Sequence, residues 1–271
     1  AKFQPTVIKE LHGISFIGLA GSQFYKFAGS QVWGLTPEQA YSGSGFQTVY
    51  AILDDFSGTG YLALMEDDDA TNAAEQKFEW VYVRNYTAPE PSISLGNEQI
   101  PVCDPQFSCC QLPDWQYRFP ITIYENSGAN LTDYQVLLYF DTQTPVSNGK
   151  MKSDGSDIRF TDENCNLLNY WIEDGMNNTT TRIWIKVPFI PASGSVTIYM
   201  QYGNYSAASQ SNGNNTFVFF DAFTFADTSK WTYGLSHAGS PPLFYTISNT
   251  LRLWSDGGWR ILFGKISISP S

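Results

Sequence analysis

The sequence predicts an all-β protein built on an antiparallel β-sandwich, and three observations carry that expectation. First, apolar residues alternate with polar ones over several short runs. In "RFPITIY" (residues 118–124), Phe119, Ile121 and Ile123 share one face while Arg118, Pro120 and Thr122 share the other. Second, clusters of Gly, Pro, Asn and Asp separate these runs: "ENSGAN", "TPVSNGK", "SDGSD", "EDGMNN" and "PASGS". Third, no long amphipathic helical pattern interrupts them, which suits a sandwich of short strands.

Taken in order, "FQTVYAIL", "GYLALM" and "KFEWVYV" read as strands, with "TPEQAY" and "ATNAAEQ" each able to supply one helical turn. The stretch "EWVYVRNYTAPEPSISLGNEQ" (79–99) then resembles a closing strand followed by an exit linker, because Pro89 and Pro91 cannot donate to a ladder. Residues 1–100 form a first segment, and "PVCDPQFSCCQLPD" (101–114) forms a Cys- and Pro-rich boundary. Within 115–215, "TRIWIKV" sets Ile183, Ile185 and Val187 against Arg182, Trp184 and Lys186. "SVTIYMQYG" sets Val196, Ile198 and Met200 against Thr197, Tyr199 and Gln201. "YQVLLYF" is nearly all apolar, as expected of a strand covered on both faces. Residues 216–271 are β-rich again, through "FVFFDAF", "FYTIS", "TLRLW" and "WRILFG".

Composition narrows the class. A chain of 271 residues allows about two domains. Only 15% of residues are charged and 42% are hydrophobic, so the chain is globular with a surface of hydroxyl and amide groups. The net charge of −11 disfavours nucleic acid and anionic membrane as partners. No apolar run approaches a membrane span. The start lacks an initiating Met and a long hydrophobic helix, which suggests a processed or excerpted product.

Together these features predict an extracellular setting. Sequons begin at Asn85, Asn130, Asn177, Asn178, Asn204 and Asn214, and some are expected to carry glycans. The cysteines Cys103, Cys109, Cys110 and Cys165 allow three pairings. At least one disulfide is expected, for instance a small loop from Cys103 with a tie to Cys165. A zinc site lacks the necessary Cys and His spacing.

Residues 115–221 carry, in order, "WQYRFPITI", "LTDYQVLLYFD", "DGSDIRFTD", "LNYWIE", "IWIKVPFIPASGSVTIYMQYGN" and "FFDAF". This segment resembles a family known only as a domain of unknown function, found in archaeal and bacterial surface proteins. In that family a concanavalin-like (laminin-G-like) jelly roll commonly follows. The resemblance implies that "FFDAFTFADTSKWTYG" opens such a sandwich, with "ISNTLRLW" as an early hairpin. It also implies that the stretch ending near residue 99 closes one. Residues 216–271 and 1–100 would then be the N- and C-terminal halves of one jelly roll of about 155 residues. A permuted monomer, one period of a tandem array, or completion between neighbouring chains would each explain the split. Completion between chains, or a tandem array, is the favoured expectation.

Candidate sites follow from chemistry. Glycosidase work needs two carboxylates about 5 to 9.5 Å apart. In "MEDDDATNAAE", Glu66 and Asp68 alternate, but Ala70 and Thr71 occupy the third place, so no catalytic residue is assigned. His12 and His237 stand in no recognisable triad. Asp154, Asp157 and Asp162 in "SDGSDIRFTDE" can offer hard oxygen ligands to Ca²⁺, the one cofactor entertained; the alternative is a turn in which Asp157 pairs with Arg159 or caps backbone. Trp184, Tyr199 and Tyr124 fall on the polar phase of their strands, suited to stacking on surface glycans or to packing on a protein neighbour. The expected function is a glycosylated structural or adhesive subunit of an extracellular filament or array, with copies of itself as head-to-tail partners. The alternative is a glycan-binding lectin-like module, and a glycoside hydrolase ranks third.

Overall fold

A computed structural model of the protein describes residues 2–5, 11–18, 21–28, 47–48, 58–67, 74–100, 111–233, 243–247, 249–255 and 260–268. In chain order the first strands are β1 (Lys2–Pro5), β2 (Leu11–Gly18), β3 (Gly21–Ala28), β4 (Gln47–Thr48), β5 (Gly58–Asp67) and β6 (Ala74–Val83). Then come β7 (Ser92–Leu95), β8 (Tyr117–Tyr124), β9 (Leu131–Phe140), a short helix α1 (Gln143–Ser147) and β10 (Arg159–Thr161). These are followed by β11 (Leu167–Leu168), β12 (Tyr170–Asp174), β13 (Thr181–Ile190), β14 (Ser195–Tyr202) and a helical turn α2 (Gly213–Thr216). The last strands are β15 (Phe219–Asp221), β16 (Trp231–Tyr233), β17 (Leu243–Ile247), β18 (Thr250–Ser255) and β19 (Arg260–Ile268). The described strands pair antiparallel throughout, so the all-β reading holds.

The chain divides into two compact units, one of residues 84–217 and one of 1–83 with 218–270. In the central unit a five-stranded sheet, β11-β10-β14-β8-β7, faces a three-stranded sheet, β12-β13-β9. Between them lies a filled core in which Ile121, Ile123, Ile158, Phe160, Ile183, Ile185, Ile198 and Met200 are fully buried. The period-2 alternation accounts for this, since each inward residue of β8, β13 and β14 meets its counterpart across the sandwich. Strand β9 is covered on its outer face over only part of its length: Gln135 is 1% exposed, while Tyr139 is 57% exposed.

Proline-rich residues 84–91 do not leave the domain. Asn85 N donates to Gln135 Oε1 at 3.0 Å and Thr87 N to Tyr134 Oη at 3.1 Å, so the segment runs along β9. Strand β7 then pairs with β8, placing residues 92–95 in the central unit rather than in the first segment. Helix α1 was absent from the sequence expectations. Its first turn is held by Asp141, whose carboxylate accepts from Thr144 N at 3.1 Å and Thr144 Oγ1 at 2.7 Å. The proposed helical turn in "TPEQAY" lies outside the described residues, and "ATNAAEQ" runs into β6.

The other unit contains two sheets, β17-β18-β6-β1-β4 with β15 also on β6, and β16-β19-β5-β2-β3. Both join strands from the two ends of the chain. β19 pairs with β5 from Ile268↔Gly58 to Arg260↔Glu66, and β18 pairs with β6 through Leu251↔Phe78. In this structure that pairing is made within one chain. Buried Phe78, Phe223 and Leu251 belong to this unit, as does Trp231, whose Nε1 donates to the buried Asp221 carboxylate at 2.6 Å.

Candidate functional site

The outer face of the five-stranded sheet is the most accessible surface that the sequence singled out. Tyr124 ends β8 with 44% of its surface exposed. Tyr199 lies on β14 opposite Pro120, half-buried, with the Arg118 guanidinium 4.7 Å from its ring centroid. Arg118 Nε also donates to Gln99 Oε1 at 2.7 Å. Between the two tyrosines, Thr122 and Thr197 oppose each other. Toward β10 the same face is closed. Gln201 and Thr161 are fully buried there, with Gln201 Nε2 donating to Thr161 Oγ1 at 2.9 Å and Leu112 N to Gln201 Oε1 at 2.8 Å. Trp115 lies over the Arg159 guanidinium at 5.2 Å.

Trp184 does not join this surface. It lies on β13 in the opposite sheet and is only 3% exposed, which corrects its assignment as an outward glycan platform. Alternation did place it away from the core, but other side chains cover it. Phe217 meets its ring edge-on at 5.7 Å, and the Arg84 guanidinium sits 4.9 Å from its centroid. Its Nε1 donates to Glu173 Oε2 at 2.7 Å, and Arg182 Nη2 lies 3.1 Å from Glu173 Oε1. Burial pushes the Glu173 carboxyl above its ordinary value, and Trp184 and Arg182 only partly counter it. Covering segments from residues 84 and 217 are distant in sequence, so alternation alone cannot reveal them.

The three candidate Ca²⁺ ligands are also separated by their roles, which corrects that assignment. Asp157 is fully buried and accepts from Lys152 N at 3.1 Å and Gly203 N at 2.9 Å. Its carboxyl is raised by burial, against those hydrogen bonds. Asp154 accepts from Ser156 N at 3.0 Å, and Asp162 from Asn164 N at 2.9 Å and Asn166 N at 2.8 Å. Asp154 and Asp162 thus cap local backbone, a task Asp performs wherever a turn leaves N–H groups unpaired, and Asp157 ties its own loop to the remote Gly203 N–H. Among the described residues no group of three or more His, Cys, Asp or Glu could hold a metal ion. Asp157 caps backbone; Arg159 instead donates to the carbonyls of Ser156, Ile158 and Ala208.

Two carboxylate clusters escaped sequence reading. Glu125 accepts from Gly128 N and Ser193 N, each at 2.8 Å, from Ser127 N at 2.5 Å, and from Ser127 Oγ. Burial acts to raise its carboxyl, but these donors outweigh it and hold the group at about 2. Glu98 pairs with Lys150 and with the hydroxyl of Tyr202, whose ring stacks on Tyr117 at 5.5 Å. Burial and then the neighbouring Glu98 push the Tyr202 phenol far up. The Glu98 cluster joins residues far apart in sequence, and the Glu125 cluster adds the remote Ser193 N to donors from its own turn.

Sequon positions differ in access. Asn130, Asn177, Asn178 and Asn214 are exposed, whereas Asn85 and Asn204 are half-buried. Asn204 Oδ1 accepts from Ser206 N at 3.0 Å. Cys165 sits in the β10–β11 turn at φ 66°; Cys103, Cys109 and Cys110 lie outside the described residues, and so does the question of their pairing. Residues 68–73 of the acidic stretch and His237 lie outside them too. Among the described residues no helix is long and apolar enough to cross a membrane.

No curated protein and no solved structure matches the chain. The stretch from "DGSDIRFTD" through the β13–β14 hairpin to β16 does find a counterpart: residues 154–234 match the family described as Domain of unknown function (DUF2341).

Proposed function

We propose that the protein is an extracellular structural or adhesive subunit, glycosylated at exposed turns, that assembles with copies of itself. The observation that supports this reading is the composite unit, in which β5 and β6 complete their sheets with β19 and β18 from the far end of the sequence. The same registers would serve if the two segments came from neighbouring chains. Such exchange is head-to-tail and extends a filament. Sedimentation velocity over a concentration series tests this. Growing oligomers that resist mild urea are expected, and a strictly monomeric species at the highest concentration overturns it.

A second reading, a glycan-binding module, is favoured by the exposed Tyr124 and the half-buried Tyr199 beside paired threonines. Glycan-array binding that Tyr124→Ala and Tyr199→Ala weaken would support it, while an array with no signal would remove it. A glycoside hydrolase remains the third possibility, with no residue assigned to its chemistry.

A further inference from the structure

We infer that the outer face of β7, β8 and β14 receives a neutral, extended polysaccharide chain. The inference rests on the glycan-binding reading and names its ligand class and the rows of side chains that meet it. Register sets those rows. Ser92, Tyr124 and Ser195 lie side by side on three strands, and Ser94, Thr122 and Thr197 form the next row. Pro120 and Tyr199 form a third, with Gly96 N donating to Pro120 O at 2.9 Å. A Cβ on Gly96 would fall 2.5 Å from Pro120 Cγ, so the bare glycine lets the neighbouring segment lie flush against the ring. Neighbours within a row stand about 4.8 Å apart, and successive rows about 6.8 Å apart, from ordinary strand geometry.

The chemistry of this grid selects the ligand. Ser92, Ser94, Tyr124 and Ser195 are exposed, and Thr122, Thr197 and Tyr199 are half-buried. Among the described residues none of these hydroxyls is engaged in a hydrogen bond, so donors and acceptors face outward at regular intervals. The rows themselves contain no charged side chain, and Arg118 borders the third, its guanidinium 4.7 Å from the Tyr199 ring centroid. A protein interface core is depleted in serine and enriched in aromatics, Met and Arg, whereas this face is dominated by hydroxyls. Repeated sugar hydroxyls match repeated Ser and Thr hydroxyls, and the Tyr124 ring and Pro120 offer apolar surface to sugar C–H faces. A polyanion meets one guanidinium at the edge of the rows, that of Arg118, which is already stacked on Tyr199 and donating to Gln99 Oε1, and is opposed by a chain of net charge −11.

Affinity electrophoresis of the full chain tests the inference, in gels containing galactomannan, hydroxyethylcellulose or anionic polygalacturonate. Retardation by at least one neutral polymer is expected, and none by polygalacturonate. Thr122→Glu places a charge in the middle row and should weaken retardation about tenfold or more, because a desolvated charge there finds no partner. Thr197→Glu on the adjoining strand gives the same loss and stands in if the first variant misfolds. Tyr139→Ala, at an exposed position on β9 of the other sheet, should be retarded like the parent. Retardation by polygalacturonate alone would overturn the neutral class while leaving glycan binding intact. No retardation in any gel, from protein with a native circular dichroism spectrum, would overturn both. Equal retardation of parent and both Glu variants would move the site off this face.

Discussion

Trp184 is held by three contacts, to Phe217, Arg84 and Glu173, and the last makes a residue-level expectation. Trp184→Phe retains a ring against the edge of Phe217 but removes the donor to Glu173, whose side chain is fully buried. Leaving that carboxylate without its donor should destabilise the protein by about 1–3 kcal/mol, read as a lower urea midpoint at unchanged slope. An unchanged midpoint would show that the hydrogen bond contributes nothing net. Glu125 supplies a pH prediction. Its carboxyl is depressed from 4.5 to about 2 in the folded chain, so the stabilisation is complete above the unfolded value. It is lost as pH falls from 4.5 through 2. Glu125→Gln should therefore lower the melting temperature at pH 7 and flatten its dependence on acid below pH 4.5; parallel melting curves for parent and variant would contradict the assignment. Neither cluster was visible beforehand, because alternation states which way a side chain leaves the strand and not what covers it.

At the scale of elements, alternation and turn chemistry decide most of the central sandwich. Of the residues expected inside β8, β13 and β14, Ile121, Ile123, Ile183, Ile185, Val187, Ile198 and Met200 are buried while Phe119 and Val196 are half-buried, and Ile185, fully buried between the sheets, should cost about 2–5 kcal/mol as Ile185→Ala. A thermal denaturation midpoint unmoved by that change would mean the core can collapse around the cavity. Turns also position the sequons. Asn130, Asn214 and one of the adjacent pair Asn177 and Asn178 should carry glycans in native material, because their side chains stand in solvent at element ends. Glycopeptide mass spectrometry would count against this if Asn85 and Asn204 were occupied and the exposed sites bare. The proline-rich stretch was misread at this scale. Pro89 and Pro91 do end ladder pairing, but the chain after β6 continues along β9 and into β7, held by side-chain acceptors such as Gln135 Oε1.

For the whole molecule, the division into units predicts unequal autonomy. Residues 84–217 contain both sheets of one sandwich and its entire core, so that fragment should fold alone with a single cooperative urea transition. Residues 1–83 alone would leave β5 and β6 without β19 and β18, and should lack a cooperative transition. Circular dichroism of the two fragments checks both outcomes. A noncooperative central fragment, or a stable 1–83 fragment, would break the argument.

The sequence by itself determined the all-β class, the inward faces of the central strands and the complementary character of the two chain ends. The first two follow from local periodicity, which is written in neighbouring residues; the third is what the family resemblance of residues 115–221 implied. Only the tertiary structure decided that Trp184 is covered, that Asp154 and Asp162 cap separate turns while Asp157 ties its loop to the remote Gly203 N–H, and that β7 belongs to the central sandwich. It also decided that Tyr124 and Tyr199 share the outer face of one sheet, with Tyr199 half-buried beside Arg118. Each of these depends on which remote segment packs against a given side chain, and such contacts leave no period in the sequence.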